Sequence, residues 1–491
     1  MSALWTRVPD AIRPYLAFRY RYPRFSLRAA ACLAVLSMPG CASFSPDGGM
    51  SGVNAITAPA LSDAVALRTP EDDDAAHARV RALLGRPLTA SAAVRIALIN
   101  NRDLQAAYNA LGISEAAMVQ ASLPPSPTFS LSRIGTSGAF EIEARIVASI
   151  LNLATLPARA ELAQDRFRQA QLQAALETLR TASEARRAYY GAVAARAQVS
   201  LLAQARETGE TAAELARRLK ETGAINRLDQ TRNQVFLAEL IAQHSTARQR
   251  AGSERERLVR ALGLSGADTA FDLPGALPPL PARARTLPSV ETEAVARRAD
   301  LQMARIEASI LAKSYGLTRA TRFVSLLDAG AVSKVTREFG DTLRERGFEV
   351  ELQIPLFDFG EAKLRQAEQS YMQAVNRLLA KAVNVRSEAR EAYAGYRASY
   401  DIARQYRRAV LPLRKIISEE MLLRYNAMQV DVFALLTEAR QGIASTAAAI
   451  DSERNFWLAE THLEAALIGG STAVAPESTA GTGAASEPSG H

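Results

Sequence analysis

Few side chains in this 491-residue sequence are placed to do chemistry, and most of those are carboxylates. Phe140-Glu-Ile-Glu-Ala-Arg-Ile146 returns as Phe348-Glu-Val-Glu-Leu-Gln-Ile354. On a strand, the period of two puts Glu141, Glu143 and Arg145 on one face of the first copy. It does the same for Glu349, Glu351 and Gln353 in the second. Carboxylates repeated in this way form a hydrated, charged surface rather than an acid–base pair. Asp229 and Asp431 each follow an expected chain reversal and fall in the first turn of a helix, where the dipole favours negative charge. Met428 could offer a soft thioether to a metal, but one methionine at a turn is more simply a packing or contact residue. His77, His244 and His462 are scattered without ligand spacing. There is no Gly-rich phosphate loop, nucleophile elbow or catalytic carboxylate pair. The sequence therefore points away from an enzyme, and from any cofactor or metal centre.

One thiol has a distinctive setting. A basic segment ends at Arg28, the apolar run Ala29–Met38 follows, and then Pro39-Gly40-Cys41. Such a run is too short to cross a bilayer but suits the core of a secretory signal. A cysteine directly after a small residue is similar to the acylation box of bacterial lipoproteins. Met38 and Pro39 depart from its usual residues, and a leader with an incidental cysteine is the alternative reading. Cys32 lies inside the leader, so the processed chain would hold no disulfide and no thiol-ligated metal. The leader also carries a net +5 of the formal net charge of +8. What remains is dispersed among acidic partners, which argues against nucleic-acid binding.

The elements that position these residues come in two similar sets. Residues 42–70 are rich in Ser, Gly, Pro and Asp and are expected to be extended. A helix begins near Leu88, capped by Thr89 or Ser91, and runs to about Ser122, where Pro124, Pro125 and Pro127 stop it. Strands are expected at Thr128–Ile134 and Phe140–Ile150, joined by the turn Gly135–Gly138. No proline occurs from Ala158 to Leu273, so a helix of about 65 residues, roughly 100 Å, can follow. It reverses at Gly223-Ala224-Ile225-Asn226, and a return helix runs to about Leu262. A Pro-rich linker occupies 263–288. Then Arg298-Ala-Asp-Leu-Gln302 echoes Asn101-Arg-Asp-Leu-Gln105, and the series begins again. A helix to about Arg319 precedes strands near Phe323–Val332 and Phe348–Ile354, joined by a charged loop. A second helix of about 65 residues follows to Tyr425. In it Leu364, Tyr371, Leu378 and Val385 recur every seven residues with Ala367 and Ala374 between them, the spacing of close helix packing. The second reversal includes Met428 and Gln429, and a return helix runs to about Leu467. The expected organisation is a leader at 1–40, an N-terminal segment at 41–85, and a first repeat at 86–262. After the linker come a second repeat at 289–468 and a Ser/Thr/Gly/Ala-rich tail at 469–491.

This is a mainly α chain with a small β part. Four strands cannot close a transmembrane barrel, for which eight is the practical minimum. The alternation of apolar and charged faces suits such a barrel, and on strands alone a half-buried soluble sheet suits it as well. The long helices add a second demand, because a return helix covers only about half of each. The rest needs the other repeat or another subunit.

In this light the sequence resembles the TolC family of bacterial outer-membrane channels, and within it the lipoprotein members of efflux systems. The resemblance is carried by Leu88-Thr89 through Asn100-Asn101-Arg102-Asp103-Leu104, by Arg297-Arg-Ala-Asp-Leu301, by Ile354-Pro-Leu-Phe-Asp-Phe-Gly360 and by Tyr425-Asn-Ala-Met-Gln-Val-Asp-Val-Phe433, and covers about residues 85–468. It implies a homotrimer in which three chains build a twelve-stranded barrel and a trimeric α-barrel. It also implies a periplasmic adaptor protein and an inner-membrane pump as partners, with Cys41 acylated by palmitate-type chains in outer-membrane lipid. Such a duct does no chemistry. Glu141, Glu143, Arg145, Glu349, Glu351 and Gln353 would line its lumen. Gly223, Ala224, Ile225, Asn226, Met428 and Gln429 would form tips that meet the adaptor. Asp431, with Asp229 as its first-repeat counterpart, would stand at the pore entrance, and Ala434 replaces a second acid found in some members. A periplasmic coiled-coil scaffold or adaptor lipoprotein is the alternative.

Overall fold

The structure, a computed structural model, describes residues 43–469 except 59–60, 62–65 and 68. The leader, Cys41 and the tail beyond 469 lie outside the described residues. All that follows concerns the compact unit beginning at Phe44.

The N-terminal segment is not simply extended. Helix α1, Met50–Thr57, lies within it. Asp47 accepts hydrogen bonds from the backbone N–H groups of Gly49 (3.1 Å) and Ser51 (2.5 Å) at its start. Met50, Val53 and Thr57 are buried along one side. Glu115, itself buried, accepts the Ser45 backbone N–H at 2.6 Å and anchors the entry to this helix. Helix α2, Pro70–Leu84, opens with a capping box between Thr69 and Asp72.

The helix expected from Leu88 to Ser122 is two, α3 at Ala90–Asn100 and α4 at Arg102–Ser122. Asn101 takes an extended conformation between them, and its side chain caps the Leu104 N–H at 3.1 Å. The second repeat breaks at the equivalent place. Arg298 separates α8, Val290–Arg297, from α9, Ala299–Thr321. The Gln105 amide donates to Ile99 O (3.4 Å) and the Gln302 amide to Ala296 O (3.3 Å). A shared side-chain hydrogen bond six residues back is strong evidence of duplication.

After α4 come β1, Thr128–Thr136, and β2, Ala139–Ser149. Pairing extends to Thr136↔Ala139, so the turn is only Ser137-Gly138. A one-turn helix α5, Ile150–Ala154, leads into the 66-residue α6, Leu156–Glu221, and α7 returns over Arg227–Leu262. In the second repeat, β3 is Leu326–Glu338 and β4 is Asp341–Gln353. The charged loop expected between them is strand instead, turned by Phe339-Gly340. Opposite charges face one another across it, with Lys334 between Glu143 and Glu345, so the ladder continues where hydrophobic alternation fades.

The four strands form one antiparallel sheet in the order β1-β2-β3-β4, in which β2 of the first repeat pairs with β3 of the second. Gly360 closes the exit from the sheet at φ 73°, where an added Cβ would collide with the Arg322 carbonyl oxygen. The helix after it is not continuous, as expected, but α10, Glu361–Gln405, a single π-helical turn, Tyr406–Val410, and α11, Leu411–Asn426. Pro412 sits just beyond, and the widened turn accommodates the missing N–H and the ring. Together they also span 66 residues. Of the heptad positions, Ala374 and Val385 are buried, while Leu364, Tyr371 and Leu378 are half-buried. Helix α12, Val432–Ile468, returns.

One core cluster joins α3, α4, α6 and α7, a second joins α8, α10 and α12, and Trp457 packs against both. Its ring stacks on Tyr190 at 5.3 Å, and its N–H donates to Pro278 O in the linker at 3.1 Å. Tyr396 and Tyr400 hold the same linker, accepting the Arg285 N–H (3.0 Å) and donating to Pro281 O (3.1 Å). The later part of the Pro-rich stretch is therefore bound along the second repeat, while Phe271, Leu273 and Leu277 pack in the first core.

Candidate functional site

Two regions gather the residues singled out by the sequence. In the sheet, the register aligns Glu141, Glu143 and Arg145 of β2 with Thr336, Lys334 and Val332 of β3. These continue to Leu343, Glu345 and Gly347 of β4, with Glu349, Glu351 and Gln353 further along the same face. All six sheet residues predicted from sequence therefore share one side. Thr128, Ser130 and Ser132 of β1 share that face, and Ile134, opposite Glu141, is the apolar exception in that strand. Arg145 reaches Glu143 at 3.0 Å and, across β3, Glu349 at 3.3 Å. Lys334 pairs with Glu141 at 3.0 Å. Cross-strand pairing orders these side chains without removing them from water.

The opposite face is apolar along most of its length. Phe129, Leu131, Ile146, Phe348, Val350 and Leu352 project there and are exposed, Phe348 at 88%. A soluble protein would cover such a face with a helix or a second sheet. The edge strands β1 and β4 each pair on one side only.

The second region holds the two reversals, which are built alike. After α6, the Gly223 N–H donates to Lys220 O (3.0 Å) and the Ala224 N–H to Leu219 O (2.8 Å). After α11, the Met428 N–H donates to Tyr425 O (2.9 Å) and the Gln429 N–H to Arg424 O (2.9 Å). Both are Schellman endings with a left-handed residue, Gly223 at φ 76° and Met428 at φ 58°. Each then starts its return helix with a side-chain cap. Asn226 accepts the Asp229 N–H at 2.8 Å, and Asp431 accepts the Ala434 N–H at 2.8 Å. This alignment corrects one expectation. The counterpart of Asp431 is Asn226, and Asp229 corresponds to Ala434, because the caps fix the register between repeats. Ile225 is half-buried, whereas Gly223, Ala224, Asn226, Met428, Gln429 and Asp431 are exposed.

Asp229 lies 3.4 Å from Arg232, and the same guanidinium sits 4.7 Å above the Phe433 ring. A few turns away Arg440 pairs with Glu239 at 2.9 Å and covers Phe236. Phe236, Leu240 and Leu436 form a small core between α7 and α12. The return helices of the two repeats are thus locked together near their reversals. Sequence reasoning missed Arg232 and Phe433, since about two hundred residues separate them.

Electrostatics elsewhere in the helices follow charge partners. Arg217 and Arg218 hold the Glu214 carboxyl down to about 2. Among the described residues no helix is long and apolar enough to cross a membrane, and no group of three or more His, Cys, Asp or Glu residues could hold a metal ion.

Residues 290–417 match the family model described as outer membrane efflux protein. No curated protein matches the chain. Among solved structures, CusC, from work on folding and transmembrane channel formation, is similar at TM-score 0.65 and 17% identity, covering 78% of this chain and 92% of that one. The outer membrane protein VceC of Vibrio cholerae is similar at TM-score 0.64 and 15% identity, covering 78% and 96%. The open-state MtrE outer membrane channel of Neisseria gonorrhoeae is similar at TM-score 0.62 and 17% identity, covering 77% and 88%. At these identities the likeness is one of fold.

Proposed function

We propose that this chain, which has the TolC-like channel fold and carries an outer membrane efflux protein domain at residues 290–417, is the outer-membrane exit duct of an efflux system. Three copies would supply twelve strands, an even number above the minimum for closure. Closure satisfies both free sheet edges, which a bilayer does not tolerate unpaired. The carboxylate face then lines a water-filled lumen, and the phenylalanine and leucine face meets lipid. The two 66-residue helices of each chain continue the lumen as an α-helical tunnel of about 100 Å across the periplasm. The reversals form its far end, where Met428, Gln429 and the Gly223–Asn226 segment contact a periplasmic adaptor and Asp431 contributes charge at the entrance. Cargo comes from an inner-membrane pump, which also supplies the energy. Cys41, once acylated, adds a lipid anchor.

The observation that carries this reading is the segregation of the sheet. All of its carboxylates lie on one face, and the exposed phenylalanines lie on the other. The test is membrane extraction with conductance. The full chain should resist high salt and carbonate, run as a trimer in mild detergent and conduct ions in planar bilayers. A Cys41→Ala chain should still resist carbonate, because the barrel holds it. Complete release of the unmodified chain by carbonate would overturn the reading.

A further inference from the structure

We infer that the outer face of the sheet carries, at its hairpin end, an arginine belt that holds phosphate-bearing lipid headgroups. This rests on the barrel reading above. In the register, Arg133 and Arg344 lie in one row with Ile142 and Val335, Arg337 pairs with Phe140, and Arg346 pairs with Ser333. All four arginines therefore project from the apolar face, opposite the glutamates. The four strands hold eight carboxylates, every one on the other face, and six cations, of which these four are the ones on the apolar side.

Their surroundings differ from those of the other two cations. Arg145 and Lys334 are ion-paired across strands. Arg133, Arg337, Arg344 and Arg346 are exposed and have no carboxylate within ion-pairing distance among the described residues. A cation on the lipid face is costly at the bilayer midplane and nearly free of cost near its edge. Position resolves the conflict. Arg133 follows Leu131 towards the turn, Arg337 follows Val335, and Arg344 and Arg346 precede Phe348, so each lies on the turn side of the apolar stretch of its strand. That is headgroup depth in the leaflet that the turns reach. Guanidinium groups bind phosphate oxygens in a bidentate manner, and no acid on this face competes. The occupant is thus an anionic, phosphorylated lipid of that leaflet. Three copies place twelve arginines around the barrel.

The test uses the full chain reconstituted in phosphatidylcholine vesicles containing a minor fraction of spin-labelled phosphatidic acid or spin-labelled phosphatidylcholine. The motionally restricted fraction reports lipid held at the protein surface. Several-fold preference for phosphatidic acid is expected at low salt, falling towards none at high salt. A chain with Arg133→Gln, Arg337→Gln, Arg344→Gln and Arg346→Gln should lose the preference while still conducting and resisting carbonate. The four Arg→Lys changes should retain part of it. If the quadruple variant does not assemble, the Arg344→Gln/Arg346→Gln chain should show a reduced preference. Equal restriction of the two lipids by the unmodified chain, or an undiminished preference in an assembled Gln variant, would overturn the inference and leave the duct standing. An unmodified chain that neither conducts nor resists carbonate would sink both.

Discussion

Arg232 on the return helix of the first repeat lies over the Phe433 ring of the second at 4.7 Å, while the Asp229 carboxylate steadies it from below at 3.4 Å. This contact joins the starts of α7 and α12, next to the reversals. A double-mutant cycle of Arg232→Ala and Phe433→Ala, read by denaturant unfolding, should give a coupling of about 0.5–1 kcal/mol. Hydrogen exchange near the reversals should rise in either single variant. Strict additivity would mean that the geometry carries no coupling.

Met428 occupies the left-handed position that glycine holds in the first repeat, and it is 94% exposed. A methionine there is strained and covers nothing in its own chain. Met428→Gly should therefore raise stability by up to about 1 kcal/mol. If the side chain serves adaptor contact, the same variant should bind a cognate adaptor more weakly. A loss of stability would show that the methionine is held by packing instead.

Asp431 can act through its cap or through its charge, and two variants separate them. Asp431→Asn keeps an acceptor for the Ala434 N–H and should leave stability nearly unchanged. Asp431→Ala should cost about 1 kcal/mol. If the charge matters at the pore entrance, both variants should lower cation selectivity in planar bilayers by a similar amount. An unchanged reversal potential would leave capping as the role of the residue.

Val350 and Glu351 are neighbours on opposite faces of β4. Val350→Arg should cost about 2–4 kcal/mol per chain in lipid and impair insertion. Glu351→Arg should insert normally and shift selectivity towards anions. The reverse pattern, measured by carbonate resistance and reversal potential, would mean that the faces are assigned the wrong way round.

Two half-buried carboxylates should give opposite pH signatures. Burial, and then the neighbouring Glu464, push the Glu460 carboxyl above its usual value, although Arg285 and Arg186 pull the other way. The folded state thus holds that proton more tightly than the unfolded state, and stability falls as pH rises past the ordinary value of 4.5 and through the raised one. Glu460→Gln should raise the melting temperature at pH 7 and change it little at or below about pH 4. For Asp300, burial pushes upward, but Arg298 and Lys381 outweigh it and the carboxyl is lowered. Its contribution is present above the ordinary range and is lost as pH falls below it. Asp300→Asn should therefore destabilise at pH 7 and not at low pH, as followed by circular dichroism.

The sequence made the long elements legible because their signals are local and repeated. The proline-free run after Ala158 announced α6, and the duplicated Phe-Glu-(Ile/Val)-Glu element announced the charged face of β2 and β4. The hidden features depend on partners far away in the chain. Residues 333–347 read as a charged loop because their alternation fades, and only the facing charges of Lys334, Glu143 and Glu345 explain why they pair. The sequence pairs Asp229 with Asp431 as repeat counterparts. The hydrogen-bonded caps, which sequence does not display, match Asn226 to Asp431 instead. Helix α1 is hidden in the sequence because Gly, Ser and Asp dominate its approach, although Met50, Val53 and Thr57 carry the spacing that buries it.

The widened turn at Tyr406–Val410 takes one residue more than an α-helical turn, so the helix beyond it is rotated by about 100° relative to an uninterrupted one. The first repeat has no such turn, although both long helices are 66 residues in length. Beyond that level, matching residues of the two repeats present different sides to their neighbours. In the trimer proposed above, two kinds of seam would therefore alternate around the ring.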